Sequence, residues 1–294
     1  MDFDLDLSSI KKIAVLPFSS ESKPVKGFYK AHEWFVHLLR RDLMSIKSLC
    51  VDDYLDSNVE WDMEWNKIKE NFFKSRQLEY LIKGIIEYDE SESVLSIELL
   101  NYNGIKGSIE KKCATKDLLK VEKEVVCEIV KLLNIEPDED EQIKISKLPD
   151  LSSLCFLLES VDANLRNGIK YRDAIINGIA ALSSVPFMVY SVSVLVLDEF
   201  ASVEDYEHML PLCEKAIRSD PDDPQIYWRI ARIYYEKKQI EKSLEYAEKG
   251  IELSPGYARN YIIAAQAYEE LGNQEKSLGY GGMAVNLINT NSDV

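Results

Sequence analysis

The residues of this chain that could do chemistry are few, and most of their spacings argue against it. His32-Glu33 with His37 comes near the H-E-x-x-H zinc pattern but is one residue too long. Five helical steps turn about 500°, which leaves the two imidazoles about 140° apart and unable to share a metal. His208 has no ligand partner near it in sequence, so no metal site is expected. Gly279 to Gly282 (GYGG) lacks the preceding strand and the lysine of a phosphate loop. Asp52-Asp53 and Asp138 to Glu141 are carboxylate clusters with no convergent partner, and they read as solvated surface. Three histidines in these contexts support no Ser-His-Asp or Cys-His arrangement. No catalytic residue and no cofactor are expected, and binding is the function left.

Charge narrows what could be bound. The formal net charge is −16. The first 150 residues hold 30 acidic and 22 basic side chains and the rest 21 and 13, so the acidity is spread over both halves. A nucleic-acid partner would require a basic stripe, and none is present. The start, MDFDLDLSSI, is acidic where a signal peptide would be basic. The run Val185 to Leu197 is too short to span a bilayer. Five scattered cysteines read as reduced thiols. The expectation is a cytoplasmic protein with no membrane insertion, or a periplasmic one if a leader has been removed.

The elements that could present a binding surface lie in the second half. Residues 224–256, PQIYWRIARIYYEKKQIEKSLEYAEKGIELSPG, read as two amphipathic helices and a stop at Pro255. Tyr227, Ile230, Ala231 and Tyr234 share one face, and Ile240, Leu244, Ala247 and Ile251 share another. The pattern recurs every 34 residues: Pro221 and Pro255; Ala216, Gly250 and Ala284; Cys213, Ala247 and Gly281; Tyr227 and Tyr261; Tyr234 and Tyr268. Ala174, Gly178, Ala181 and Pro186 match at a shift of 35. One such hairpin cannot bury its own apolar face, so neighbours must stack on it.

A helical hairpin of this length, with small residues at these points, resembles the tetratricopeptide repeat. Four repeats are expected, at 155–188, 190–223, 224–257 and 258–291. The first two are degenerate, with Leu165 and Phe200 in place of the aromatic and Asp162 in place of a small residue, and the fourth has Asn289 where the final proline belongs. The resemblance implies that first-helix residues line a concave groove for a protein or peptide. Here these are Gln225, Trp228, Arg232 and Tyr235 in the third repeat, and Arg259, Ile262, Gln266 and Glu269 in the fourth. Trp and Arg are the types that most often dominate interface energy. Trp228 and Arg232 replace the residues of the family's carboxylate clamp, so that chaperone-type role is not implied.

The first half alternates differently. KIAVLPF (12–18) reads as a buried strand, 32–46 as a helix, 49–54 as a strand and 61–75 as a helix. Strands follow at 79–88, 93–102 and 106–115, the last pair joined through Asn103-Gly104, and then a helix at 116–133. The order β-α-β-α-β-β-β-α predicts a mixed sheet with helices packed on it. IAVLPF at 13–18, with Tyr80, Leu81 and Gly84 in the middle strand, resembles the TolB-like amino-terminal domain. It departs at 20–27, where SESKPVKG replaces a Gly-rich acidic stretch. The resemblance implies a non-catalytic domain that often precedes such repeats.

The fold expected is therefore two-domain: an α/β mixed-sheet domain at 1–135, a charged linker at 136–150 and an all-α solenoid at 151–294. The function expected is a non-enzymatic scaffold, with the sheet as a second docking surface. A ligand-sensing regulatory module, or an accessory subunit of a bacterial envelope or flagellar assembly, is the alternative.

Overall fold

The computed structural model describes residues 10–22, 31–52, 65–146 and 221–288, together with Tyr206, Leu210, Cys213, Glu214 and Ile217. The first expected repeat, all but a few residues of the second, the stretch 1–9, Trp61 and His208 lie outside the described residues.

Five strands form one sheet in the order β2-β1-β3-β4-β5. They are β1 (Lys11–Val15), β2 (Leu49–Asp52), β3 (Tyr80–Tyr88), β4 (Glu92–Asn101) and β5 (Gly104–Ala114). β1 runs parallel to β2 and β3, while β3, β4 and β5 form an antiparallel meander. Ile13, Ala14 and Val15 are all inaccessible to solvent, as a central parallel strand covered on both faces requires. Helices α1 (Ala31–Met44) and α3 (Leu118–Leu132) pack over the face that carries Ile82, Leu95 and Ile97. The other face, with Ala14, Leu81 and Leu100, is covered by α2 (Trp65–Ile68) and the π-turn that continues it through Lys74. The wider turn, closed by Ser75 N donating to Glu70 O at 3.0 Å, lets the adjacent Phe72 and Phe73 both point inward. Each buried ring contributes about 1.5–3 kcal/mol.

Two motif residues named above turn out to be neighbours. A Cβ on Gly84 would stand 2.8 Å from the Phe18 ring, so the glycine makes room for the phenylalanine that closes IAVLPF. The β4–β5 turn differs by one position from the sequence reading. Its central residues are Tyr102 and Asn103, and Gly104 (φ +130°) is already paired with Asn101 as the first residue of β5. Asn103 N donates to Asn101 Oδ1 at 2.9 Å, a local bond that selects this turn over one centred on Asn103-Gly104.

The stretch read as linker contains a helix, α4 (Glu139–Ser146). The signal is a capping box: Glu141 N donates to Asp138 Oδ1 and Asp138 N to Glu141 Oε2, both at 2.8 Å. Glu141 Oε1 also accepts from Lys47 N at 2.7 Å, and Ile145 is buried, which fixes α4 to the α/β layer. The acidic run therefore starts a helix, because its carboxylates lie in the first turn, where the helix dipole favours them.

Between α1 and α3 lies a buried charge cluster. Arg41 Nη2 is 2.6 Å from Asp42 Oδ1, and the Lys123 ammonium bonds the other Asp42 oxygen. Glu122 has no exposed surface, and neither of its oxygens accepts a hydrogen bond, although Lys123 Nζ sits 3.1 Å from Oε2. Burial, aided by the Asp42 charge, pushes the Glu122 carboxyl up to about 8, against the pull of Lys123 and Arg41. The folded protein thus keeps a proton that the unfolded chain gives up near the ordinary value of 4.5. The penalty is absent below that pH, grows as pH rises, and is complete above about 8. Glu122→Gln is expected to leave stability unchanged at low pH and to raise it at alkaline pH by on the order of 2–3 kcal/mol. Urea unfolding at both ends of that range measures this, and an equal effect at both ends would assign the gain to packing instead.

Candidate functional site

Four described helices make two hairpins: α5 (Pro224–Glu236) with α6 (Ile240–Leu253), and α7 (Ala258–Glu270) with α8 (Gln274–Ile288). Asp223 caps α5 by accepting from Gln225 N at 2.7 Å, and Pro224 occupies the first turn, where its missing N–H has no bond to lose. The small residues sit where helices meet. Ser243 Oγ donates to Ala231 O at 2.8 Å, and a Cβ on Gly250 would meet the Asn260 side chain at 2.4 Å. Both hairpins repeat one aromatic arrangement. Tyr246 stacks on Tyr234 (5.5 Å) and lies tilted against Tyr227 (6.3 Å), and Tyr280 stacks on Tyr268 (5.3 Å) and lies tilted against Tyr261 (6.3 Å). Tyr246 and Tyr280 are 34 apart, a recurrence visible in the sequence that the reading above did not use.

The first helices of the two hairpins bring three of the eight expected binding residues together. The guanidinium of Arg259 on α7 lies 4.5 Å from the Trp228 ring centre on α5, and Arg232 lies 6.0 Å from it. Arg229, which was not among the expected residues, joins them at 5.2 Å. Trp228 is buried at 8% exposure, while Arg232 and Arg259 are half-buried. The indole is therefore the platform of a cationic cluster in which Arg229 is buried and Arg232 and Arg259 are the accessible part. Tyr235 belongs elsewhere: its hydroxyl donates to Glu270 Oε1 at 3.4 Å, and Lys238 pairs with the same oxygen. Gln225 and Ile262 are half-buried, and Gln266 and Glu269 are exposed.

A second feature escaped the sequence reading, because its parts come from both halves of the chain. The register pairs Lys12 with Cys50 and Ala14 with Asp52, so Lys12, Cys50 and Asp52 share one sheet face. The end of α8 lies on that face. Lys12 Nζ donates to Asn286 O at 2.7 Å, and Cys50 Sγ to Leu287 O at 3.7 Å. Both acceptors are last-turn carbonyls, where a cation is favoured. Gly256 abuts the backbone of Leu49, and Tyr257 and Tyr261 are buried alongside. Beside this contact is a cavity of about 350 Å³ lined by Lys12, Asp52, Arg76, Leu78, Tyr257 and Leu287 among others. Arg76 Nη1 pairs with Asp52 Oδ2 at 3.2 Å. Lys12 is only 6% exposed, and burial lowers its pKa against the pull of Cys50, Glu79 and Asp52.

Among the described residues, no group of three or more His, Cys, Asp or Glu side chains is arranged to hold a metal ion, and no helix is long and apolar enough to cross a membrane.

Residues 224–257 match the tetratricopeptide repeat family. No curated protein matches the chain. Among solved structures, MamA 41-end from Desulfovibrio magneticus RS-1 is similar at 16% identity over 60% of this chain and 92% of that one, with a TM-score of 0.39. A MamA crystal structure gives 17% identity, coverage of 58% and 92%, and a TM-score of 0.37. MamA of MSR-1 gives 16%, 58%, 93% and 0.38. These scores are too low to carry a fold or a function across.

Proposed function

We propose that this chain is a non-enzymatic adaptor that holds a protein or peptide along the first helices of its tetratricopeptide repeats, with the α/β sheet as a second docking surface. The repeat matched at 224–257 supports a protein-interaction role. The observation that carries the reading is the Trp228, Arg232 and Arg259 cluster. It joins the first helices of two successive hairpins, the strip where this repeat type presents its groove. Two half-buried guanidiniums around a rigid indole supply directional donors at small entropic cost, which is what an interface anchor needs. On this reading residues 1–135 form a TolB-like domain, a view the packing of Phe18 on Gly84 supports. The charge balance favours a protein partner over nucleic acid.

The experiment is affinity capture by the full-length chain from its native lysate, followed by measurement of the captured partner's Kd. Trp228→Ala with Arg232→Ala is expected to weaken binding by about 2 kcal/mol or more. Arg232→Glu, which spares the buried indole, should do the same with an unchanged far-UV spectrum. Equal affinity of wild type and Arg232→Glu would remove the groove from the account.

A further inference from the structure

We propose that the cavity between the sheet and the last described hairpin binds a small organic monoanion, an apolar body carrying one carboxylate-like group that sits against the Lys12 ammonium. The volume of about 350 Å³ lies within the range of small-molecule sites, roughly 300–1,000 Å³. Its walls are mostly apolar, from Val51, Leu78, Tyr257, Leu287 and Ile288. Its charged groups do not balance. Two cations, Lys12 and Arg76, face one carboxylate, Asp52, which pairs with Arg76 at 3.2 Å. Lys12 donates one of its three N–H bonds to a neutral carbonyl, Asn286 O, and among the described residues no carboxylate pairs with it. The Glu79 carboxyl accepts from the Lys12 backbone N–H at 3.1 Å instead. A nearly buried ammonium with two donors that no described residue accepts, and with Glu79 and Asp52 acting on it only from beyond ion-pair distance, is costly unless something anionic reaches it. The cavity is the space on which it opens. A carboxylate there would complete the ion pair while its apolar part replaced water against Leu78, Tyr257 and Leu287.

The walls come from β1, β2, the loop before β3, the start of α7 and the end of α8. A ligand would thus bind only while the hairpin rests on the sheet, and it would hold that contact closed. This goes beyond the adaptor reading and stands or falls separately, since no residue of the Trp228 cluster lines the cavity.

The test titrates the full-length protein with octanoate and phenylacetate, and with octanamide and phenylacetamide as neutral matches, by calorimetry and thermal shift. The acids are expected to bind and raise the melting midpoint, and each amide to bind about tenfold more weakly or worse. Lys12→Met should abolish the preference for the acid, and Ala258→Phe, which fills the cavity, should abolish both. Equal binding of acid and amide, no binding of either acid up to about 10 mM, or an unchanged preference in Lys12→Met would overturn the proposal. The acid–amide comparison on the wild type decides the matter even if a variant fails to fold.

Discussion

Asp42→Asn lowers the unfolding free energy by about 3–5 kcal/mol. Asp42 is 1% exposed and is the shared acceptor of two buried cations, Arg41 through one oxygen and Lys123 through the other. The amide keeps the shape and removes the charge, so both cations lose the Asp42 carboxylate while remaining between α1 and α3. Both side chains are held out of water, Arg41 at 7% and Lys123 at 9% exposure. Removing the Asp42 charge also removes one of the two causes that hold the Glu122 carboxyl up, so Glu122 ionises more readily in the variant and offsets part of the loss as pH rises. Urea unfolding at neutral pH should show a lower midpoint with an unchanged slope. A loss below about 1 kcal/mol would mean that the cluster is worth no more than a surface ion pair.

Gly256→Ala separates the repeats from the sheet. An added Cβ would lie 2.1 Å from Leu49 O, 2.8 Å from Leu49 C and 3.0 Å from Cys50 Cα. All three are backbone atoms of a strand hydrogen-bonded to β1, so neither side can yield by a side-chain rotation. The helix-end contacts of Lys12 and Cys50 are lost with the docking. Far-UV circular dichroism should stay near wild type, since each hairpin keeps its internal packing. Cys50, 7% exposed in the docked state, should react with iodoacetamide at least about tenfold faster. Peptide mapping is needed to separate it from Cys127, which is exposed already. An unchanged Cys50 rate would show that the hairpin does not rest on β2.

Much of this was legible along the chain because it is local. The 34-residue beat of Tyr227 and Tyr261, Tyr234 and Tyr268, and Gly250 and Ala284 specifies helical hairpins, since stacking requires small and aromatic residues at fixed steps. The apolar run of 13–16 and the alternation of 93–100 specify a buried parallel strand and a half-buried antiparallel one. Asp138 and Glu141 carried a capping signal that their acidity disguised as linker. By contrast, Trp228 was read as a residue type suited to a surface. Its burial beneath Arg259 depends on how α7 crosses α5, which no periodicity encodes.

By itself the sequence determined the two kinds of architecture and the order of the strands and helices up to α3. Those follow from spacings of two, three, four and thirty-four. The tertiary structure alone decided that Lys12 and Asn286, 274 positions apart, meet at a helix end and that a cavity opens beside them. Such a meeting depends on the relative placement of two packed units, a property of their surfaces together that neither segment carries in its own pattern.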